Sequence, residues 1–153
     1  TGLAVLQRLL TDQMPYVKVW VHVVWSTKNR QPYLHKQIRP KVFEHIKTNA
    51  EAKGIHIDVI GGHKDHVHCL ISLNPGQSMG ETIQLLKGES SAWINKSGLS
   101  RFKFGWQRDY FAVSVGKDQI ARVRRYILRQ EEHHKKIKFS DEFQAFLIRA
   151  GFH

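Results

Sequence analysis

Gly61-Gly62-His63-Lys64-Asp65-His66-Val67-His68-Cys69-Leu70-Ile71-Ser72-Leu73 reads as a loop running into a β-strand, and the rest of the chain is organised around it. Side chains alternate across a strand, so His66 and His68 project from one face, roughly 7 Å apart along the backbone. Val67, Cys69 and Ile71 form an apolar set on the opposite face. Paired imidazoles on a rigid element with a hydrophobic back are what a metal site needs. A His-x-His pair alone also suits a half-polar surface, so further ligands must come from elsewhere in the chain.

Working outward, the strand is third in a series. Val17 to Thr27 (VKVWVHVVWST) is β-branched and aromatic, with Val17, Val19, Val21 and Val23 alternating against Lys18, Trp20 and His22, and predicts a first strand. From His35 to Lys53, Ile38, Val42, Phe43 and Ile46 recur at helical spacing, and Gly54 stops the helix. Ile55 to Ile60 predicts a second strand ending at Gly61-Gly62. After Asn74-Pro75-Gly76, Ser78 and Glu81 form a capping-box signature for a helix carrying Ile83, Leu86 and Trp93, with Gly98 past its end. Asp109 to Val115 predicts a fourth strand, Gln119 to about His133 a third helix, and Ser140-Asp141 opens a last short one.

The order β-α-β-β-α-β, followed by helices, predicts an α+β ferredoxin-like sandwich with a four-stranded antiparallel sheet and additional C-terminal helices. In it the first and third strands are central. Val67, Cys69 and Ile71 face the crossover helices, and the histidines face the other side, open to the third helix, a partner or substrate. The expected organisation is a single domain over 14–153, with 1–13 an extension before Met14 that is not necessarily native.

Composition narrows the function. At 153 residues, 41% hydrophobic and 24% charged, the chain is long enough for one sizeable core. No apolar run approaches a membrane span, so no membrane partner is expected. Lys and Arg total 24 against 13 Asp and Glu, a net charge of +11, which favours a polyanion, nucleic acid above all. Cys69, the one cysteine, cannot form an internal disulfide and reads as a buried thiol in a reducing cytosol.

The third predicted helix has two stripes. Ile120, Val123 and Ile127 are apolar; Gln119, Arg122, Tyr126, Arg129, Gln130 and His133 are polar. Tyr126 and Gln130 stand at i and i+4, so they are neighbours on one face. A tyrosine in this position is more often an amphipathic edge residue than a nucleophile; its company of arginines and an amide able to ligate metal through oxygen keeps the second role open.

Asp65-His66-Val67-His68-Cys69-Leu70 resembles the His-hydrophobic-His motif of HUH endonucleases. Leu86-Lys87-Gly88-Glu89-Ser90-Ser91, Gly105-Trp106-Gln107-Arg108-Asp109-Tyr110-Phe111 and Arg125-Tyr126-Ile127-Leu128-Arg129-Gln130 are similar to three further blocks of one branch. That branch is the small single-tyrosine transposases of insertion sequences, the transposase A type, with their repeat-associated relatives. The likeness runs from about Val17 to Lys136.

The resemblance implies a divalent ion, Mg²⁺ or Mn²⁺, held by His66, His68 and Gln130, with Tyr126 as nucleophile. Tyr110 is the rival tyrosine, placed by its block in the fourth strand. The implied activity is metal-dependent nicking and strand transfer of single-stranded DNA at hairpin-bearing element ends. It runs through a 5′-phosphotyrosine, in a homodimer in the cytoplasm of a bacterial or archaeal cell, near the nucleoid. Tyrosine ionises near pH 10 and needs a metal-polarised phosphate to attack. Lys28 and Arg30 beside Tyr33, with Lys87, Arg108, Arg122 and Arg129, are the candidate DNA contacts. His22 faces the metal side as a structural histidine; His63, His133 and His134 carry no assignment. Two other readings are a replication initiator or relaxase, and a noncatalytic ferredoxin-like nucleic-acid binder. The binder predicts exposed aromatics where His66 and His68 stand.

Overall fold

A computed structural model describes residues 2–4, 6 and 16–152; the proposed extension and Met14 fall largely outside them. Strand β1 (Val19–Ser26) is followed by a 3₁₀ turn at Lys28–Arg30 and helix α1 (Arg39–Ala52). Strands β2 (His56–His63) and β3 (His66–Leu73), helix α2 (Met79–Ser97) and strand β4 (Phe111–Ser114) come next. Helix α3 (Ile120–Leu128), the short α4 (Gln130–His133) and α5 (Phe139–Arg149) complete the order. The sheet order is β2-β3-β1-β4, every pairing antiparallel. The first and third strands are central, as the β-α-β-β-α-β pattern requires.

Alternation divides the sheet into two working faces. Val21, Val23 and Trp25 of β1 and Val67, Cys69 and Ile71 of β3 are buried in one core with Val42 and Ile46 of α1 and Ile83, Leu86 and Ile94 of α2. Each such buried aliphatic side chain contributes about 1.5–3 kcal/mol relative to exposure, so this face anchors the fold. Ser78 caps α2, its Oγ accepting the Glu81 N–H at 3.3 Å. Gly98 closes the same helix at φ 71°, a left-handed position that costs glycine little.

The other face carries His22 and Val24 from β1 and His66 and His68 from β3, with Val24 paired to His68 and Ser26 to His66. It is not open. Both motif histidines are fully buried, because α5 lays Phe139 against Val24 and Phe111, with Phe143 and Phe146 packed beside them.

Three of the boundaries that differ from the sequence expectation bear on the site. The second strand continues through Gly61 and Gly62 to His63, leaving only Lys64-Asp65 as the hairpin turn. The fourth strand begins at Phe111, so Tyr110 precedes it. The third helix is broken at Arg129 (φ −104°, ψ 20°), whose N–H is shared between the carbonyls of Arg125 and Tyr126. That break restarts the chain as α4 and sets Gln130 facing inward, 1% exposed.

Gly61 lets α3 pack onto the end of β2. It pairs with His68, and a Cβ there would overlap the Ile127 carbonyl oxygen and stand 3.1 Å from the carbonyl carbon. Only a residue without a side chain lets α3 lie this close to the sheet. Arg124 fastens the helix from the same side, its Nε donating to Asp58 Oδ2 at 2.8 Å.

Candidate active site

The site is assembled from β1, β3, α3, α4 and α5. His66 Nδ1 lies 2.9 Å from Asp65 Oδ1, so Nδ1 carries a proton and Nε2 is the ring atom turned into the site. Nε2 faces Gln130 Oε1 at 3.0 Å and Glu142 Oε1 at 3.7 Å. His68 Nε2 lies 3.1 Å from the same Glu142 oxygen, and its Nδ1 lies 2.9 Å from His22 Nε2. His22 therefore orients His68 from behind, the usual arrangement around a ligating imidazole.

The Gln130 and Glu142 oxygens, both acceptors, converge with the two imidazole nitrogens on one point, and such oxygens repel one another unless a cation or a proton stands between them. Ligand atoms of His66, His68 and Glu142 lie within 4.8 Å of one another, and the Gln130 amide oxygen joins them. Two imidazoles, a carboxylate and an amide oxygen suit a divalent first-row ion or Mg²⁺. The residues present fit the implied metal.

Glu142 is the member that the sequence reading missed. Its Oε2 accepts a hydrogen bond from Tyr126 Oη and lies 2.7 Å from His133 Nε2 and 3.3 Å from His134 Nε2. Burial opposes its charge, but hydrogen bonds from His134, His68 and Tyr126 overcome it and hold the carboxyl well below its usual range. A signal was present. Phe139, Phe143 and Phe146 make an apolar stripe at helical spacing, and Glu142 interrupts it. An acidic residue buried in such a stripe needs partners.

Burial lowers His68 to about 3 and His22 to about 4. Both rings are thus neutral at pH 7, and the close approach of His68 to Glu142 is a hydrogen-bond or ligand geometry rather than an ion pair. Burial and then the Glu142 carboxylate push the Tyr126 phenol well above its ordinary value. Aromatic rings seal the cluster. Phe139 stacks on His66 at 4.1 Å and 11°, and Phe146 meets His22, His68 and Tyr126 edge-on.

Tyr126 is half-buried, its ring centroid 5.6 Å from that of His68, so the four expected site residues come together. Tyr110 does not join them; it is 41% exposed beside the loop before β4. The candidate DNA contacts divide. Lys28, Arg30, Arg108, Arg122 and Arg129 are exposed, and the Arg30 guanidinium lies 5.4 Å from the Phe139 ring centre, at the rim of the site. Lys87 is committed elsewhere: its Nζ donates to the carbonyls of Gln107, Arg108 and Asp109 at 2.6, 2.9 and 3.3 Å. It pins the loop, so its ammonium is not a free phosphate contact.

Comparison with known proteins agrees with this geometry. The family described as "Transposase IS200 like" matches residues 15–130. The ISDra2 transposase TnpA of Deinococcus radiodurans is 24% identical over 116 residues, spanning 72% of this chain and 83% of the relative. A crystal structure of a candidate transposase from Deinococcus radiodurans superposes with a TM-score of 0.60 at 20% identity, over 76% of this chain and 93% of that one. A REP-associated tyrosine transposase bound to a REP hairpin superposes with a TM-score of 0.60 at 15% identity, over 80% of this chain and 73% of its own. The family match ends at Gln130, so His133, His134 and Glu142 lie beyond it.

Proposed function

Because the chain belongs to the IS200-like transposase family, as an HUH-type single-tyrosine transposase acting in DNA transposition, we propose that it nicks and rejoins single-stranded DNA through Tyr126. The observation that carries this reading is the entry of the Tyr126 hydroxyl into the same buried cluster as His66, His68 and Gln130.

Tyr126 Oη attacks the scissile phosphorus, the bond from phosphorus to O3′ breaks, and the released 3′-oxygen takes up a proton. The product is a 5′-phosphotyrosine that stores the ester for rejoining. His66, His68 and Gln130 would hold the divalent ion, Mg²⁺ or Mn²⁺, with Glu142 Oε1 in reach as a further ligand. When bound, that ion supplies Lewis acidity to the phosphate and offsets the Glu142 charge. His22 keeps His68 oriented, and Asp65 keeps the His66 proton on Nδ1. Glu142 positions Tyr126 Oη through its hydrogen bond, and burial together with the Glu142 carboxylate favours the protonated phenol.

The exposed Lys28, Arg30, Arg108, Arg122 and Arg129 supply phosphate contacts on a chain of net charge +11. Hairpin-bearing DNA ends are the substrate, and the working form is a homodimer. A relative solved on a REP hairpin supports the choice of hairpin substrate. The domain is taken to span 14–153.

The test uses single-stranded oligonucleotides carrying hairpins from DNA flanking the gene, incubated with Mg²⁺ or Mn²⁺ and run on a denaturing gel. A metal-dependent DNA–protein adduct is expected from the wild type and from Tyr110→Phe, and none from Tyr126→Phe. Loss in Tyr110→Phe alone would transfer the role to Tyr110. Salt-sensitive binding with no adduct under either metal would favour the noncatalytic reading.

A further inference from the structure

We propose that the cavity beside the paired histidines receives one unpaired nucleobase of the DNA strand and selects for a base bearing an exocyclic amino group. This rests on the reading of the chain as a single-strand nickase. The cavity measures about 510 Å³, inside the roughly 300–1,000 Å³ span of small-ligand sites. It opens on the histidine face of the sheet, between β1, the loop before β4 and α5.

Its connection to the chemistry is Phe139. One face of that ring stacks on His66, the ring also lines the cavity, and Arg30 lies over it. A base in the cavity is therefore separated from His66 by a single ring.

The lining divides as a base demands. Phe139, Phe143 and Tyr110 offer flat apolar surface, on which every base can stack. Asn29, Gln107 and Asp109 offer hydrogen-bonding groups at the exposed side. The Asp109 carboxylate only accepts hydrogen bonds, so it favours an amino group such as cytosine N4. Gln107 Oε1 already accepts the Asn29 N–H at 3.2 Å, which turns its amide hydrogens towards other acceptors.

The wall carrying Asn29 is held under strain. Asn29 and Arg30 are consecutive non-glycine residues at φ 56° and 53°. Thr27 Oγ1 donates to the Gln31 carbonyl at 2.6 Å, and the Lys28 N–H bonds Gly105 O at 2.9 Å, which fixes both ends of the turn. Strained backbone held this firmly marks positions kept for what they present. Phe139 and Phe143, which close the cavity from α5, lie beyond the span matched by the family.

The test scans a hairpin oligonucleotide with single abasic sites at each unpaired nucleotide flanking the stem. Binding is read by fluorescence anisotropy with Tyr126→Phe protein and Mn²⁺, which separates recognition from cleavage. One abasic position is expected to weaken binding roughly 5–100-fold, the worth of one stacked base. Phe143→Ala should remove the penalty at that position alone, with Mn²⁺ affinity by calorimetry unchanged. Asp109→Asn, an exposed change, should alter which base is preferred there. A flat scan, or an Asp109→Asn protein with unaltered base preference, overturns the pocket even if wild-type protein still forms the metal-dependent adduct. Loss of the adduct itself would instead remove the nickase reading.

Discussion

Replacing Gly61 by alanine should separate the nucleophile from the paired histidines without touching either. The new Cβ would overlap the Ile127 carbonyl oxygen, with that carbon 3.1 Å away and Ile127 Cγ2 also at 3.1 Å. Restoring ordinary contact, near 3.5 Å, requires α3 to retreat by about 1 Å. Overpacking of this kind costs about 1–3 kcal/mol, or roughly 3–10 °C in Tm for a chain of this size. Tyr126 precedes Ile127 and moves with it, and a misplacement of about 1 Å can cost on the order of 100-fold in rate. The assay pairs thermal unfolding with the initial rate of adduct formation under Mn²⁺. Gly116→Ala serves as control, since a Cβ there meets nothing within 4 Å. A Gly61→Ala protein whose Tm and adduct rate both match the control would refute the claim that this glycine sets the distance between helix and sheet.

Other expectations follow from the same contacts. His22→Phe removes the hydrogen bond to His68 Nδ1 and should weaken Mn²⁺ binding about 10–100-fold by calorimetry; unchanged affinity would make His22 a packing residue only. Lys87→Met strips a charged donor from three carbonyls and should destabilise the chain by about 1–3 kcal/mol in urea unfolding. A DNA affinity that falls while stability holds would show that Lys87 contacts phosphate after all. In chelator-treated protein, burial keeps His22 near 4 and His68 near 3, against 6.5 when unfolded. The unfolded chain then binds protons that the folded chain refuses, so stability is full above pH 6.5 and falls as pH drops towards 4. A flat stability profile across that window would contradict the burial of these rings.

Much of this molecule is legible in its local sequence. Alternation in VWVHVVWS and HVHCLISL decided which side chains face the helices, and Ser78, Glu81 and Gly98 marked the ends of α2. Cys69 was readable as a buried thiol because its strand neighbours on that face are aliphatic. The pairing of His66 with His68 on one face also follows from period two alone. Their partnership with Tyr126 and Gln130 came from motif likeness, since residues some 60 positions apart carry no local signal of contact.

Only the tertiary structure decided the rest. The break at Arg129 was invisible because Leu128, Arg129 and Gln130 are all good helix formers, yet the chain breaks there and turns Gln130 inward. Gly61-Gly62 looked like a loop, yet both pair with β3, at His68 and Val67; α3 lies in the space a Gly61 side chain would fill, and the His66 carbonyl in that of Gly62. Lys87 looked like a phosphate ligand until three carbonyls claimed it. Glu142 lies 74 residues from His68, and no pattern within its helix could say which buried partners its charge would meet. Sequence periodicity determines which face a side chain occupies; which faces then meet is settled by the packing of the whole chain, and the chemistry of this site resides in that meeting.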